Sequence, residues 1–297
     1  MRLAILALGL LAVPAAAQEH QPLRSATAEE QKARTAVTIA DYRFDDLLWE
    51  NDRIAYRIYG RALEAAEPPS SSGIDAWGKR VRWPFMDRQL RTGDQHADHG
   101  EGIDFYNVGT GRGVGGLGIW HDNKLWTSRN YVRPRILRSG PDVADFSVDY
   151  DPWPVDVMRT VRETRRFNLP AGTNFTRMTS TIASSSDAEL VVGIGISKRP
   201  VGGGKLGEVK KDKAGARLVW WGPADGEKGR MAAAVIVDPA AFAGFAEDAD
   251  NYLILVRILP GQPFVYYSGA AWDRGGDFAT QGGWNSYVDA QRPDFRP

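Results

Sequence analysis

Apolar and polar residues alternate along many short segments of the chain. In residues 54–59, for example, Ile54, Tyr56 and Ile58 lie on one face of a predicted β-strand. Similar segments, rich in β-branched and aromatic residues and bounded by Gly, Pro, Asp and Asn, predict further strands at 116–121, 145–150, 157–168, 176–182, 189–197, 217–221, 231–237, 252–259 and 263–268. About ten strands are therefore expected.

Turn residues rather than helical segments separate most of these strands, which argues against a doubly wound nucleotide-binding fold. The pattern predicts an all-β protein, a large antiparallel β-sandwich that forms a single domain over residues 39–297. The connection at 61–107 contains two of the four histidines, together with Trp77, Trp83 and eight carboxylates, and loops on a rigid β scaffold often carry binding sites. A Gly- and Lys-rich stretch at 202–215 predicts a mobile surface hairpin.

The N-terminus has the pattern of a secretory signal. A basic tip, an apolar run at 3–13 and a small-residue segment predict a signal peptide at 1–17, followed by a polar tail at 18–38. The apolar run is shorter than the roughly 20 residues that a membrane-spanning helix needs. We therefore expect an exported protein, periplasmic or secreted, that does not associate with a membrane.

Composition narrows the possible partners. The 297 residues include no cysteine, which excludes disulfides and thiolate chemistry. The 37 basic and 37 acidic side chains balance, and no basic stripe suggests nucleic acid as a partner. An anionic ligand would need a local cluster of arginines.

A glycine run at 109–118 contains the spacing of a dinucleotide fingerprint at Gly111, Gly113 and Gly116. That motif binds a nucleotide only where a helix follows it, and here a predicted strand follows. No nucleotide partner is expected, and the glycines are interpreted as sites where a strand passes close to another backbone or to a ligand.

Two of the four histidines lie in one short polar segment with carboxylates. His96, His99, Glu101 and Asp104, followed by Tyr106, form a natural acid–base group. The alternative is a solvated turn whose histidines bond to neighbouring carboxylates. No cofactor is predicted; a divalent metal would find N and O ligands in His99, Glu101 and Asp104, but no established ligand spacing is present.

Basic and aromatic residues near other loops suggest a binding surface. Arginine's planar fork suits bidentate capture of a carboxylate, and indole rings stack on sugar faces. The residues that we expect to bind substrate are Lys79, Arg80, Trp83, Asp104, Trp120, Arg133 and Arg135. Alternatively, the arginines lie on a charged, exposed face of a sheet and form salt bridges there.

Several segments together resemble the bacterial family called domain of unknown function 4861, found among exported proteins of polysaccharide-utilisation systems. They are residues 50–60, 73–80, 99–106 with the following glycines, and 165–179. Arg61 and Val114 stand where the family often has proline and cysteine. The resemblance implies a supersandwich similar to galactose mutarotase and to polysaccharide lyases, and a link to uronate-containing oligosaccharides; one branch is associated with dehydration of a terminal uronic acid.

These observations lead to the hypothesis of a carbohydrate-active enzyme that performs β-elimination on uronic-acid-containing oligosaccharides, as a dehydratase or a lyase. His99 or His96 would be the base, Tyr106 or His121 the acid, and Glu101 would orient an imidazole. A glycoside hydrolase that pairs Glu101 with Asp104 or Asp87, a non-catalytic sugar-binding protein and a sugar epimerase remain alternatives.

Overall fold

Antiparallel β-sheets make up most of the protein in the computed structural model, which describes residues 21–297. The strands, in chain order, are β1 (Ala36–Ala40), β2 (Asp46–Glu50), β3 (Ala55–Ile58), β4 (Asp75–Lys79), β5 (Gly102–Ile103), β6 (Val114–His121), β7 (Lys124–Trp126), β8 (Arg133–Ser139), β9 (Val143–Pro154), β10 (Thr160–Pro170), β11 (Phe175–Ser184), β12 (Leu190–Ser197), β13 (Glu208–Asp212), β14 (Arg217–Trp221), β15 (Met231–Val237), β16 (Phe242–Glu247), β17 (Asn251–Ile258) and β18 (Pro263–Trp272). The α-helices are α1 (Leu63–Ala66), α2 (Met86–Leu90) and α3 (Gln281–Asp289).

The strands form three sheets. A five-stranded sheet, called here the first sheet, has the order β1-β2-β3-β4-β5. An eight-stranded sheet has the order β13-β14-β15-β18-β11-β10-β9-β8, and a second five-stranded sheet has the order β16-β17-β12-β6-β7. The fold is therefore the large antiparallel β-sandwich that the sequence predicts.

One hydrophobic core joins all three sheets. It contains Trp49 from the first sheet, Phe146 and Phe167 from the eight-stranded sheet, and Ile194 from the second five-stranded sheet, all fully buried. The Trp49 ring lies 5.2 Å from the rings of both Phe146 and Phe167. The other face of the eight-stranded sheet packs against α3 through Trp284.

Most predicted strands are confirmed, but the structure corrects some boundaries. Val157 and Met158 are exposed in the turn before β10, so the strand predicted at 157–168 begins only at Thr160. The amide of Met158 donates to the Asp156 carboxylate, a local bond that favours the turn. The connection at 61–107 is also not a single loop, because it contains β4, α1, α2 and β5.

The strand β4 was not predicted. All five of its residues are buried, and its sequence therefore does not alternate between apolar and polar. Strand β1 lies partly within the segment predicted as a polar tail. The predicted signal peptide lies outside the described residues. Between residues 21 and 297, no helix has both the length and the apolar character needed to cross a bilayer.

Tyr56 on β3 fixes the first sheet to the eight-stranded sheet. Its hydroxyl donates to the carbonyl of Asn174 at 2.7 Å and accepts from the amide of Ala270 at 2.9 Å. The side chain is 1% exposed. Both backbone groups are therefore satisfied by a single phenol, away from water.

Replacing Tyr56 with Phe should lower the free energy of unfolding by about 1–3 kcal/mol, because two buried backbone groups lose their partner. Urea denaturation checks this. Tyr42→Phe is the matched control, since Tyr42 is 41% exposed and its hydroxyl donates to the Asp87 carboxylate at the surface, where water can replace it; it should change stability by less than about 0.5 kcal/mol. Equal effects of the two substitutions would contradict the anchoring role of Tyr56.

Candidate functional site

Charged residues lie on the face of the first sheet that points away from the main core. Leu47, Trp49 and Tyr56 face the core, so their neighbours in the alternating pattern face the other way. Arg57 on β3 pairs in register with Asp75 on β4. The alternation of the strands therefore gathers polar groups on one side of the sheet.

Arg57 is the centre of this group. Its Nη2 donates to an oxygen of Asp75 at 2.8 Å and to an oxygen of Asp104 at 2.9 Å, and its Nε donates to Asp75 at 3.1 Å. The Nη1 atom lies 3.7 Å from a carboxylate oxygen of Asp46, at the start of β2. All four side chains are at most 6% exposed.

The buried carboxyl groups outnumber the buried guanidinium group by three to one, which affects their protonation. Burial, reinforced by the charge of Asp75, raises the pKa of Asp104 well above its usual range, although Arg57 opposes the shift. Burial also raises the pKa of Asp46 to about 6, again against Arg57 and Arg43. Asp104 therefore keeps its proton to a higher pH than an exposed aspartate does.

Arg57, Asp75 and Asp104 line a cavity of about 190 Å³, called here the Arg57 pocket. Its lining includes Arg43, Arg57, Tyr59, Glu67, Asp75, Gln95, His96, Asp104, Asn107 and Gly109. Tyr59 lies with its ring 5.0 Å from the Arg57 guanidinium, and no group within 21–297 hydrogen-bonds its hydroxyl. Burial and the nearby carboxylates raise the pKa of Tyr59 well above its usual range, so it is a neutral phenol.

His96 stands at the rim of the Arg57 pocket, with 62% of its side chain exposed. Its Nδ1 lies 2.9 Å from the carbonyl oxygen of Asp104, which can only accept a hydrogen bond. Its Nε2 lies 3.2 Å from the side-chain amide nitrogen of Gln95. This pairing fits the tautomer with its proton on Nδ1 and its lone pair on Nε2, where the amide of Gln95 can donate.

Other residues of the predicted site form a separate, structural cluster. Glu101 accepts from Arg88 and from the indole nitrogen of Trp83 at 3.4 Å. Lys79 is buried, and its ammonium group pairs with Glu50 and donates to the Trp83 carbonyl at 2.7 Å. Because these groups satisfy one another, they are poorly placed to bind a substrate.

Arg80 and His99 also have local partners. Arg80 donates to Asp98 at 2.6 Å, and its guanidinium lies 4.5 Å from the ring of Trp272. His99 bonds through Nε2 to the carbonyl of Asp94 at 3.0 Å. Neither residue lines the Arg57 pocket.

The predicted acids and the remaining substrate-binding residues lie elsewhere. The hydroxyl of Tyr106 is buried and donates to the carbonyl of Gly113 at 3.1 Å. Trp120 and His121 end β6, where Nε2 of His121 lies 3.6 Å from Asp156. In the eight-stranded sheet Arg133 and Arg135 both pair with Asp149, at 3.1 and 2.7 Å. Of the predicted set, the structure brings only His96 and Asp104 together in the Arg57 pocket.

The potential metal ligands do not converge. His99, Glu101 and Asp104 each bond to a different partner, namely the Asp94 carbonyl, Arg88 and Arg57. In the described part of the chain, no group of three or more His, Asp or Glu side chains is close enough to hold an ion.

The glycine run has the structural role that its pattern suggested. Gly113 has φ of 61° and packs closely on Ile74. A Cβ atom added to Gly113 would lie 1.8 Å from the carbonyl oxygen of Ile74. Only glycine fits this approach between two backbones.

Sequence reasoning missed Arg57, Tyr59, Asp75 and Asp46. A usable signal was present, because Arg57 and Tyr59 occupy alternating positions of a predicted strand and Asp75 precedes an indole within the segment 73–80. A charged residue within an otherwise buried strand needs a buried counter-charge. That requirement points to an acidic partner on a neighbouring strand.

The fold and the pocket define a β-sandwich protein with a buried acidic site, and comparison with known sequences gives its family. The chain belongs to the family described as Domain of unknown function (DUF4861), whose model matches residues 11–296. It is 29% identical over 262 residues to "Uncharacterized protein P7" of Formosa agariphila, a match that covers 83% of this chain. The chain spans only 64% of that protein's length.

Solved structures with a similar arrangement are much larger proteins. A heparinase III gene product gives a TM-score of 0.36 at 9% identity, over 81% of this chain and 36% of the other. The α-galactosidase AgaB of family GH36 from Geobacillus stearothermophilus gives 0.40 at 10% identity, over 79% of this chain and 40% of the other. The galactosidase domain of an α-galactosidase-sucrose kinase gives a TM-score of 0.36 at 8% identity, over 80% of this chain and 42% of the other. These likenesses concern β-rich architecture.

Replacing Asp46 with Asn should stabilise the protein at pH 8. The pKa of Asp46 is raised in the fold, so its ionisation opposes folding, and this penalty is complete above pH 6. The variant should gain about 2 kcal/mol at pH 8 and only about 0.4 kcal/mol at pH 4, where the carboxyl is protonated in the fold and about half ionised in the unfolded chain. Urea denaturation at the two pH values measures the difference.

Asp142→Asn is the matched control, because the Asp142 side chain is 74% exposed, and it should show no such pH dependence. A loss of stability in Asp46→Asn at pH 8 would show that the ionised carboxylate supports the fold through Arg57, against this account.

Proposed function

We propose that the protein is a carbohydrate-active enzyme that performs β-elimination on the terminal uronic acid of an oligosaccharide, and that the Arg57 pocket is its active site. One observation carries the proposal: a carboxyl group with a raised pKa (Asp104), an unbonded phenol (Tyr59) and an imidazole (His96) line one small cavity. The saccharide class follows the expectation from the family resemblance.

The size of the pocket favours a chain end over a chain interior. Its volume of about 190 Å³ is below the roughly 300–1,000 Å³ of common small-molecule sites. A cavity of this size holds one terminal sugar residue, whereas internal attack requires an open cleft. Terminal action is therefore favoured.

Each group in the pocket has a role in the elimination. The Asp104 carboxyl donates a hydrogen bond to the substrate carboxylate, which lowers its negative charge and stabilises the enolate that forms. Nε2 of His96 removes the proton from C5. The electrons of that C–H bond form the C4–C5 double bond, the C4–O bond breaks, and the Tyr59 hydroxyl protonates the departing oxygen.

Glycoside hydrolysis is the second candidate, because Asp75 and Asp104 both bond the same nitrogen of Arg57 and burial raises the pKa of Asp104 well above its usual range. Such a pair can divide the acid and nucleophile roles. Mass spectrometry separates the outcomes: dehydration loses one water, hydrolysis gains one water, and lyase cleavage conserves the summed mass.

Replacing Tyr59 with Phe or His96 with Gln should reduce turnover about 100-fold or more, because each substitution removes a proton-transfer group. Turnover is followed by the ultraviolet absorbance of the conjugated product, with a mixture of uronate-terminated oligosaccharides as substrate. Unfolding midpoints close to that of the parent protein would show that the fold is retained.

His99→Gln is the matched control, since His99 lies nearby in sequence but outside the Arg57 pocket. It should keep nearly full activity. Parental turnover in both pocket variants, or loss of turnover in His99→Gln alone, would overturn the assignment of the active site.

A further inference from the structure

A second cavity, of about 180 Å³, adjoins the Arg57 pocket. Its walls include Phe105, Tyr106, Asn107, Arg199, Trp220 and Met231, and we call it the Arg199 pocket. Asn107 lines both cavities. The two cavities therefore share part of their wall.

Arg199 stands at the border between the two cavities. A Cβ atom placed on Gly109, which lines the Arg57 pocket, would lie 3.6 Å from Nη1 of Arg199 and 4.0 Å from the side-chain oxygen of Asn107. Gly109 has φ of 57° and no side chain, so nothing on this residue blocks the passage. A ligand in the Arg57 pocket can extend past Gly109 towards Arg199.

The Arg199 guanidinium has no acidic partner within residues 21–297, where neither an ion pair nor a hydrogen bond reaches it. Asp225 lines the same cavity, but its carboxylate is more than 4.0 Å from the guanidinium nitrogens, outside ion-pair distance. By contrast, Arg57, Arg80 and Arg88 are all paired. A half-buried guanidinium that lacks a partner is suited to bind an anion from solution.

Aromatic side chains line the pocket beside this charge, and Phe105 has more exposed surface than Tyr106 or Trp220. The Trp220 ring packs edge-on against Tyr106 at 5.9 Å, and Phe105 is half-buried beside them. The positive charge of Arg199 also opposes the effect of burial on the pKa of Tyr106, which places the guanidinium close to this wall. The partly exposed ring of Phe105 can pack on a sugar ring whose anionic substituent reaches the cation.

We infer that the Arg199 pocket binds the sugar residue next to the terminal one, and that Arg199 holds a carboxylate or sulfate group on that second residue. The inference rests on the proposed function for its saccharide substrate. It deepens that proposal by assigning a charge requirement to a position remote from the reacting bond.

Calorimetric titration of the inactive Tyr59→Phe protein tests the inference without turnover. The probes are three disaccharides with the same terminal uronic acid, whose second residue carries a sulfate ester, a carboxylate or neither. Arg199→Gln, added to Tyr59→Phe, should weaken binding of the two charged disaccharides about 10- to 100-fold, through loss of charge-assisted hydrogen bonds. Binding of the neutral one should change little.

Arg162→Gln is the matched control for loss of one positive charge, because Arg162 is exposed on β10 and lines neither pocket. It should leave all three affinities unchanged. Equal weakening of the charged and neutral probes by Arg199→Gln would overturn the inference, because Arg199 would then hold the terminal residue. Absence of binding for every probe would overturn it as well.

The two proposals fail in different ways. If binding depends on Arg199 and on the charge of the second residue but the parent protein forms no product, the proposed elimination reaction is wrong and the assignment of the Arg199 pocket is supported. If product forms but Arg199→Gln weakens charged and neutral probes equally, the elimination reaction is supported and the assignment of the Arg199 pocket is wrong.

Discussion

Arg57 holds together three buried carboxyl groups that come from β2, from β4 and from the segment after β5. The outer face of the first sheet could not bury Asp46, Asp75 and Asp104 without a positive charge, because an isolated ionised carboxylate is too costly to desolvate. One guanidinium cannot neutralise three carboxylates, and burial raises the pKa values of both Asp46 and Asp104. The pairing of Arg57 with the three carboxyl groups thus both joins the strands of the first sheet and sets the protonation of the pocket.

The active site that we propose follows from this imbalance. A neutral carboxyl group is a hydrogen-bond donor, which an ionised one is not, and it lies beside a phenol and an imidazole in the same cavity. The acidic pocket by itself is a poor site for a substrate with several negative charges. In the proposed complex, Arg199, which has no ion pair or hydrogen bond within residues 21–297, would supply the opposite charge beyond Gly109.

Alternation in the sequence predicted most of the strands, since period-two patterns arise wherever one face is buried and the other is not. It failed at β4, whose residues are buried on both faces, and at β8, where arginines and exposed apolar residues mask the pattern. Proximity in sequence also grouped His99 and Glu101 with His96, although each of them bonds to other partners. The contribution of Arg57 and Asp75 depends on pairing between strands 18 residues apart, which local patterns do not reveal.

The central claim is that Asp104 carries a proton at neutral pH. Infrared difference spectroscopy between the parent protein and Asp104→Asn at pH 7 measures this directly, because only a protonated carboxyl shows the carboxylic C=O stretch. The account predicts such a band in the parent protein, absent from Asp104→Asn and retained in Asp142→Asn. A parent protein without the band at pH 7 would show that Asp104 is ionised and would contradict the account.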